Sequence, residues 1–120
     1  MSRRILVIED HEENRRILRD LFTSGGYEVI EATTGLEGVS LAEERPDLII
    51  MDVQLPGIDG YEATRRIKAN PVLHQIPIIA VTSYALSGDD AKALEAGCDA
   101  HVAKPFSPRS LLAKVREYLP

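Results

Sequence analysis

The sequence predicts an α/β fold in which a five-stranded parallel sheet lies between two layers of helices. Short, continuous apolar runs recur along the 120 residues, and such runs are typical of parallel strands that are covered on both faces. Amphipathic stretches with helical spacing separate the runs, and glycine or proline marks the ends of these stretches. The alternation predicts βα units in an open sheet, because a closed barrel needs about 250 residues.

Three of the predicted strands are well marked, and two are weaker. The continuous apolar runs cover Ile5–Ile8, Leu48–Met51 and Ile78–Val81, and the weaker candidates cover Tyr27–Ala32 and Ala100–Ala103. In a flavodoxin-like (βα)5 doubly wound sandwich, these strands take the order 2-1-3-4-5 with right-handed crossovers. This order places the first and third strands side by side at the centre of the sheet.

Apolar side chains recur at helical spacing between the strands. They are Ile17, Leu18, Leu21 and Phe22 in the first helix, Leu36, Val39 and Ala42 in the second, Ala91 and Leu94 in the fourth, and Leu111, Leu112, Val115 and Leu119 in the fifth. Glycine and proline predict where the helices end, because both disfavour helix interiors. The predicted ends are Gly25-Gly26, Pro46, Asn70-Pro71 and Gly97, and the predicted starts are Gly60 for the third helix and Ser107-Pro108 for the fifth.

The composition predicts a single acidic, cytoplasmic domain. Fourteen basic and nineteen acidic residues give a net charge of −5, which weighs against direct DNA binding. The N-terminus lacks a signal-peptide pattern, and no apolar run approaches the roughly 20 residues that a membrane-spanning helix needs. The single cysteine, Cys98, excludes an intramolecular disulfide and is expected to be buried. We expect residues 1–120 to form one domain, with no output domain.

Charged and polar residues follow the predicted strands at the point where each strand ends. Glu9 and Asp10 follow the first strand, Asp52 the third, Thr82 the fourth and Lys104 the fifth. Ligands of open α/β sheets bind outside the carboxyl ends of the strands, near the point where the strand order reverses. The sequence therefore predicts that these side chains share one crevice.

Three carboxylates and one lysine leave two negative charges unbalanced in this crevice. Two like charges about 4 Å apart, at an effective dielectric constant near 20, repel by about 4 kcal/mol. The group therefore favours a divalent cation with oxygen ligands, and Mg2+ leaves coordination positions open for phosphoryl oxygens. Asp52, on the central strand, is the natural nucleophile for an acyl phosphate. Thr82 and Lys104 can then bind phosphoryl oxygens.

Four motifs of the chain resemble those of the receiver domain of two-component response regulators. They are Val7–Asp10, Met51–Gly60, Ala80–Ser83 and Val102–Phe106, and they span the chain in the family's order. The resemblance implies a signalling role in which Asp52 accepts a phosphoryl group from phosphohistidine with Mg2+, or with Mn2+ as a substitute. It implies no enzyme activity beyond self-phosphorylation and slow self-dephosphorylation at Asp52.

The same resemblance implies a set of metal ligands. Asp10 would bind the metal directly and Glu9 mostly through water. Asp52 and the backbone carbonyl of Gln54 would complete the ligands that the protein supplies.

The resemblance also implies a switch. Thr82 matches the family's switch hydroxyl, and Lys104 matches its lysine, whose bond to Pro105 is expected to be cis. In the family, an aromatic side chain three residues before the lysine turns inward on phosphorylation and remodels the face formed by the fourth helix, fifth strand and fifth helix. Here that position is His101, which leaves open whether it works as the switch residue or is a partly exposed imidazole at the edge of a strand.

Three further residues would tune the site. Ser83 is small, as access of the phosphodonor requires in the family. Gln54 and Tyr84, two residues after Asp52 and Thr82, would flank the phosphoryl group and limit the access of water, which predicts slow self-hydrolysis. Tyr84 is equally well explained as a surface packing residue.

The implied partners are a sensor histidine kinase or histidine phosphotransfer protein, and a downstream protein that reads the switch face. The residues around the fourth helix are similar both to single-domain regulators of the DivK type and to receivers of hybrid histidine kinases, and this choice stays open, as does the oligomeric state. The alternative function is a receiver-fold docking module that is not phosphorylated in the cell. A flavin carrier's phosphate loop, a second Asp as in haloacid-dehalogenase-type phosphatases and a nucleotide-binding P-loop are absent.

Overall fold

The structure is a computed structural model that describes residues 2–82 and 89–120. Its strands are β1 (Arg4–Ile8), β2 (Glu28–Ala32), β3 (Leu48–Asp52), β4 (Ile78–Thr82) and β5 (Ala100–Ala103). Its helices are α1 (Glu12–Ser24), α2 (Gly35–Leu41), α3 (Gly60–Lys68), α4 (Asp89–Ala96) and α5 (Pro108–Tyr118). The strands pair in parallel in the order β2-β1-β3-β4-β5, which confirms the predicted fold class and strand order.

Alternate residues of the central strands face two separate cores, as the continuous apolar runs predict. On β1, Ile5 and Val7 pack with side chains of α1 and α5, whereas Leu6 and Ile8 pack with side chains of α2, α3 and α4. All four side chains are fully buried. Burial on both faces holds the strands rigidly, and this rigidity fixes the positions of the residues at their carboxyl ends.

The ends of α1, α4 and α5 follow the sequence signals. Gly26 and Gly97 have positive φ, at 92° and 107°, where glycine is favoured. Ser107 caps α5 by accepting a hydrogen bond from the Ser110 backbone N–H. Cys98 is buried, as predicted, and its thiol lies 3.7 Å from the Thr64 hydroxyl. Burial raises the pKa of the Cys98 thiol.

The second helix ends earlier than predicted. α2 ends at Leu41, a 3-10 turn covers Ala42–Glu44, and Arg45 adopts a left-handed conformation with φ 58°. Proline disfavours the α conformation of the residue before it, so helical structure cannot continue past Arg45. The α-helix itself ends five residues before Pro46, and the 3-10 turn fills the interval.

The buried faces of the helices are narrower than the apolar spacing predicts. Ile17, Leu36 and Leu94 are 52%, 57% and 75% exposed. A helix packed on a sheet buries only one stripe of its surface, and these side chains lie outside that stripe. These side chains belong to helical periods, but they are not part of the core. Within the described ranges, no helix is long and apolar enough to cross a membrane.

The start of α3 packs closely on the end of β3. Asp59 caps the helix by accepting a hydrogen bond from the Glu62 backbone N–H at 2.9 Å, and the Gly60 N–H donates to the Val53 carbonyl at 2.9 Å. A Cβ on Gly60 would clash with the Asp52 carbonyl oxygen and lie 2.7 Å from Val53 Cα. Glycine is therefore required where α3 meets the end of the central strand.

We expect Gly60→Ala to lower the free energy of unfolding by about 1–3 kcal/mol, because the clash involves backbone that cannot move aside freely. In a helix without such a clash, the same change stabilises the protein by about 0.4–1 kcal/mol. Denaturant unfolding measures the difference. Gly25→Ala is the control, because its Cβ would lie 3.2 Å from the flexible end of Leu112. Equal losses in the two variants would contradict the expectation.

Candidate functional site

One ammonium group joins two carboxylates at the carboxyl ends of the central strands. The Lys104 Nζ lies 3.1 Å from Asp52 Oδ1 and 3.6 Å from Glu9 Oε1. Glu9 follows β1, Asp52 ends β3 and Lys104 follows β5. The predicted convergence of these three residues is therefore present in the folded chain.

Both carboxylates are almost completely buried. Glu9 is 2% exposed and Asp52 is 3% exposed, while the Lys104 side chain is 21% exposed. Burial raises the pKa of Glu9, and the nearby Asp52 charge raises it further. Lys104 and the His11 backbone N–H, which donates to Glu9 Oε2 at 3.0 Å, oppose this shift. Two buried carboxylates thus share one ammonium group.

The Asp52 carboxylate is held by two donors on the same oxygen. Its Oδ1 accepts hydrogen bonds from Lys104 Nζ at 3.1 Å and from the Gln54 backbone N–H at 3.2 Å. Two donors on one oxygen restrict rotation of the carboxylate about its bond to Cβ. Asp52 is thereby oriented at the rim of the sheet before any ligand arrives.

The residues after β1 present several ligand atoms together. Ligand atoms of Glu9, Asp10 and His11 lie within 4.8 Å of one another. In the described part of the chain, Asp10 Oδ1 is a buried side-chain oxygen with no hydrogen-bond partner. A buried carboxylate oxygen without a donor is costly, and a bound cation would satisfy it. The donor set therefore fits an oxygen-seeking divalent metal such as Mg2+.

His11 contacts both carboxylates of the acidic pair. Its Nδ1 is 3.5 Å from Glu9 Oε2 and 3.4 Å from Asp10 Oδ1, although the side chain is 70% exposed.

Thr82 ends β4 and is fully buried beside the site. Its backbone carbonyl accepts a hydrogen bond from the Lys104 N–H at 2.7 Å. The Lys104–Pro105 peptide bond is cis, the form that the family resemblance implies. Backbone pairing between the fourth and fifth strands therefore places the hydroxyl-bearing residue and the lysine next to each other.

The remaining predicted site residues are His101, Ser83, Tyr84 and Gln54. His101 is exposed and pairs with Ala80 in the β4–β5 register. Ser83 and Tyr84 lie outside the described residues. The Gln54 backbone N–H contacts Asp52, whereas the role predicted for its carbonyl stays a prediction.

An apolar groove beside the site was not predicted. It has a volume of about 480 Å3, and its lining includes Glu9 and Lys104. Its apolar lining includes Ile17, Val81 and Phe106. Ile17 belongs to the apolar period of the first helix, and no local pattern distinguishes a groove residue from a core residue.

The sequence model of the response regulator receiver domain family matches residues 5–116. The chain belongs to this family. The receiver domain is 42% identical over 120 residues to the polar-differentiation response regulator DivK of Brucella anthropi, and the match covers 99% of this chain and 98% of DivK. It is therefore a DivK-like receiver domain of two-component signalling.

Solved receiver structures share the whole fold of this receiver domain. The receiver domain of the sensor histidine kinase PA1611 from Pseudomonas aeruginosa superposes with a TM-score of 0.92 at 38% identity, with 99% of this chain and 98% of that chain covered. That structure is described as having a magnesium ion coordinated in its active-site cleft. A putative response regulator from Chloroflexus aurantiacus superposes with a TM-score of 0.94 at 32% identity, with 99% and 98% covered.

We expect Lys104→Met to lower the free energy of unfolding by about 2 kcal/mol in EDTA, because two buried carboxylates lose their shared cation. Asp52→Asn should have the opposite effect and raise it, because one of the two crowded charges is removed while the shape is kept. Denaturant unfolding without divalent metal measures both changes.

Lys114→Met is the matched control for this pair of variants. Lys114 forms a surface ion pair with Glu117 at 3.2 Å, so its loss should change the free energy of unfolding by less than about 1 kcal/mol. A loss of stability in Asp52→Asn as large as that in Lys104→Met would contradict the electrostatic account.

Proposed function

We propose that this receiver domain takes a phosphoryl group from phosphohistidine onto Asp52 and passes the change to a partner protein through the face formed by α4, β5 and α5. The observation that supports this most directly is the Asp52 carboxylate, which is buried and held on one oxygen by Lys104 and the Gln54 N–H. An oriented carboxylate next to a fixed ammonium suits attack on phosphorus.

The proposed reaction is an in-line transfer between two side chains. An Asp52 carboxylate oxygen forms a bond to phosphorus while the bond between phosphorus and the donor's imidazole nitrogen breaks, and that nitrogen keeps the electron pair and takes up a proton. Lys104 moves its contact from Asp52 to a phosphoryl oxygen, and the Thr82 hydroxyl binds another. A bound metal would supply positive charge that stabilises the transferring group.

In this proposal, Asp10, Glu9, Asp52 and the Gln54 carbonyl hold Mg2+, and Mn2+ can replace it. Asp10 Oδ1, buried without a hydrogen-bond partner, supports this assignment. The magnesium ion in the active-site cleft of the PA1611 receiver supports it independently. Because Mg2+ retains several waters, the ligands can accommodate a phosphoryl oxygen.

The proposed partners are proteins rather than DNA or a membrane. A sensor histidine kinase or a histidine phosphotransfer protein is the donor, and a target protein in the cytoplasm reads the α4–β5–α5 face. Phosphorylation acts on that face through Thr82 and His101, while Ser83, Tyr84 and Gln54 control access to Asp52. In this proposal the domain catalyses only its own phosphorylation and slow dephosphorylation.

We expect acetyl phosphate and Mg2+ to add one acid-stable, base-labile phosphoryl group, detected by intact-protein mass spectrometry. Asp52→Ala should abolish the adduct, because the acyl phosphate forms on its carboxylate. Asp20→Asn, at an exposed carboxylate on α1, should label as the unmodified protein does. No labelling of the unmodified protein with acetyl phosphate or with phosphoramidate would instead support the docking-module alternative.

We expect Ile17→Glu to slow phosphotransfer from a protein donor by about tenfold, a loss of about 1.4 kcal/mol. The exposed Ile17 lines the apolar groove next to Lys104, where a donor presenting phosphohistidine to Asp52 would rest. Transfer is measured from the histidine phosphotransfer domain that reacts fastest with the unmodified protein.

Two controls separate docking from chemistry in this variant. Labelling by acetyl phosphate should be unchanged, because a small donor does not need the groove. Leu36→Glu replaces an equally exposed apolar side chain on α2 and should leave both rates unchanged. A parallel loss with acetyl phosphate would show that Ile17→Glu damages the site itself.

A further inference from the structure

Arg15 binds the backbone of the acidic pair, although it lies near the start of α1 rather than at a strand end. Its side chain is 17% exposed. Its Nη1 donates a hydrogen bond to the Glu9 carbonyl at 3.1 Å, and its Nε donates to Glu31 Oε1, also at 3.1 Å. The guanidinium therefore joins the residue after β1 to a carboxylate on β2.

The peptide unit that leads into Asp10 is anchored by this contact. The Glu9 N–H donates to the Ala32 carbonyl at 3.0 Å, which holds Glu9 on its N-terminal side. The Glu9 carbonyl lies in the same rigid peptide plane as the Asp10 nitrogen. Arg15, by binding that carbonyl, restricts the direction in which the Asp10 backbone and side chain leave the strand.

Asp10 depends largely on its backbone for its position. Its Oδ1 is buried without a hydrogen-bond partner, and His11 Nδ1, which lies 3.4 Å from that oxygen, belongs to a side chain that is 70% exposed. We infer that Arg15 is a positioning residue for divalent-metal binding, acting through the Glu9 carbonyl to hold Asp10 in place. The inference rests on the magnesium site of the proposed function. Partners that orient metal ligands typically contribute 10–100-fold to metal affinity.

Positioning and simple electrostatics predict opposite effects of removing Arg15. A positive charge near a cation site opposes metal binding, so charge alone predicts tighter Mg2+ binding when Arg15 becomes neutral. The positioning role predicts weaker binding, because the Glu9–Asp10 peptide loses its anchor. The sign of the change therefore distinguishes the two explanations.

Arg19 provides a matched control on the same helix. Its Nη1 donates to the two Glu31 carboxylate oxygens at 3.2 and 3.1 Å. Among the contacts of the described residues, those of Arg19 reach Glu31, whereas Arg15 also reaches the Glu9 carbonyl. Replacing Arg19 thus removes a positive charge from the same carboxylate and leaves the anchor of Glu9 in place.

The experiment measures Mg2+ affinity by calorimetry in the full chain and in three variants. We expect Arg15→Gln to weaken Mg2+ binding about tenfold and Arg15→Lys to weaken it as well, because one ammonium cannot reproduce the forked contact. Arg19→Gln should stay within about twofold of the unmodified protein, since charges this exposed are strongly screened. Thermal unfolding in EDTA verifies that each variant is folded.

Acetyl phosphate labelling provides a second measurement. In Arg15→Gln, the Mg2+ concentration that gives half the maximal labelling rate should rise about tenfold, while the rate at saturating Mg2+ should stay within about twofold. If the substitution instead disturbed the structure of the site, the labelling rate at saturating Mg2+ would fall. That result would overturn the inference.

The outcomes separate this inference from the proposed function. Normal Mg2+ binding by the unmodified protein together with equal or tighter binding by Arg15→Gln overturns the positioning role and leaves the proposed function intact. Equal weakening by Arg19→Gln also overturns it. Failure of the unmodified protein to bind Mg2+ contradicts the proposed magnesium site and this inference together. If Arg15→Gln is unfolded, Arg15→Lys decides by the same criteria.

Discussion

The ion pair between Lys104 and Asp52 is the interaction on which the site depends. Lys104 Nζ lies 3.1 Å from Asp52 Oδ1 and 3.6 Å from Glu9 Oε1, so one cation compensates two buried carboxylates. The compensation is incomplete, because three carboxylates, those of Glu9, Asp10 and Asp52, surround this single ammonium group. Burial also raises the pKa of Glu9. Crowded acidic groups of this kind favour a cation, in line with the proposed magnesium site.

The fold provides the rigidity that this arrangement needs. β1 and β3 are buried on both faces and lie side by side, so the residues at their carboxyl ends cannot move apart without disturbing two cores. Backbone pairing then brings Lys104 to Thr82 through the 2.7 Å hydrogen bond between its N–H and the Thr82 carbonyl. The side chains supply the reactive groups, and the parallel sheet sets the distances between them.

Much of this was predictable from residue patterns. Continuous apolar runs indicated the strands, and Glu9, Asp52 and Lys104 were expected to converge because parallel strands end at one edge. The exposure of Ile17 and Leu94 could not be predicted, since helical spacing does not tell how wide a face the sheet covers. The anchoring role of Arg15 was missed because its partner is a backbone carbonyl, which leaves no mark on the sequence.

The positions of strands and helices, the helix caps and the charged residues after each strand were indicated by local patterns, because propensity and periodicity act within a few residues of the chain. Tertiary structure alone determined which atoms meet. Lys104 and Asp52 are 52 residues apart in the chain, and Arg15 reaches Glu31 across 16. Such contacts depend on the relative placement of whole elements to within about an ångström, because hydrogen bonds and ion pairs weaken steeply with distance and angle. Local patterns therefore indicated the chemistry, and packing of the elements fixed its geometry.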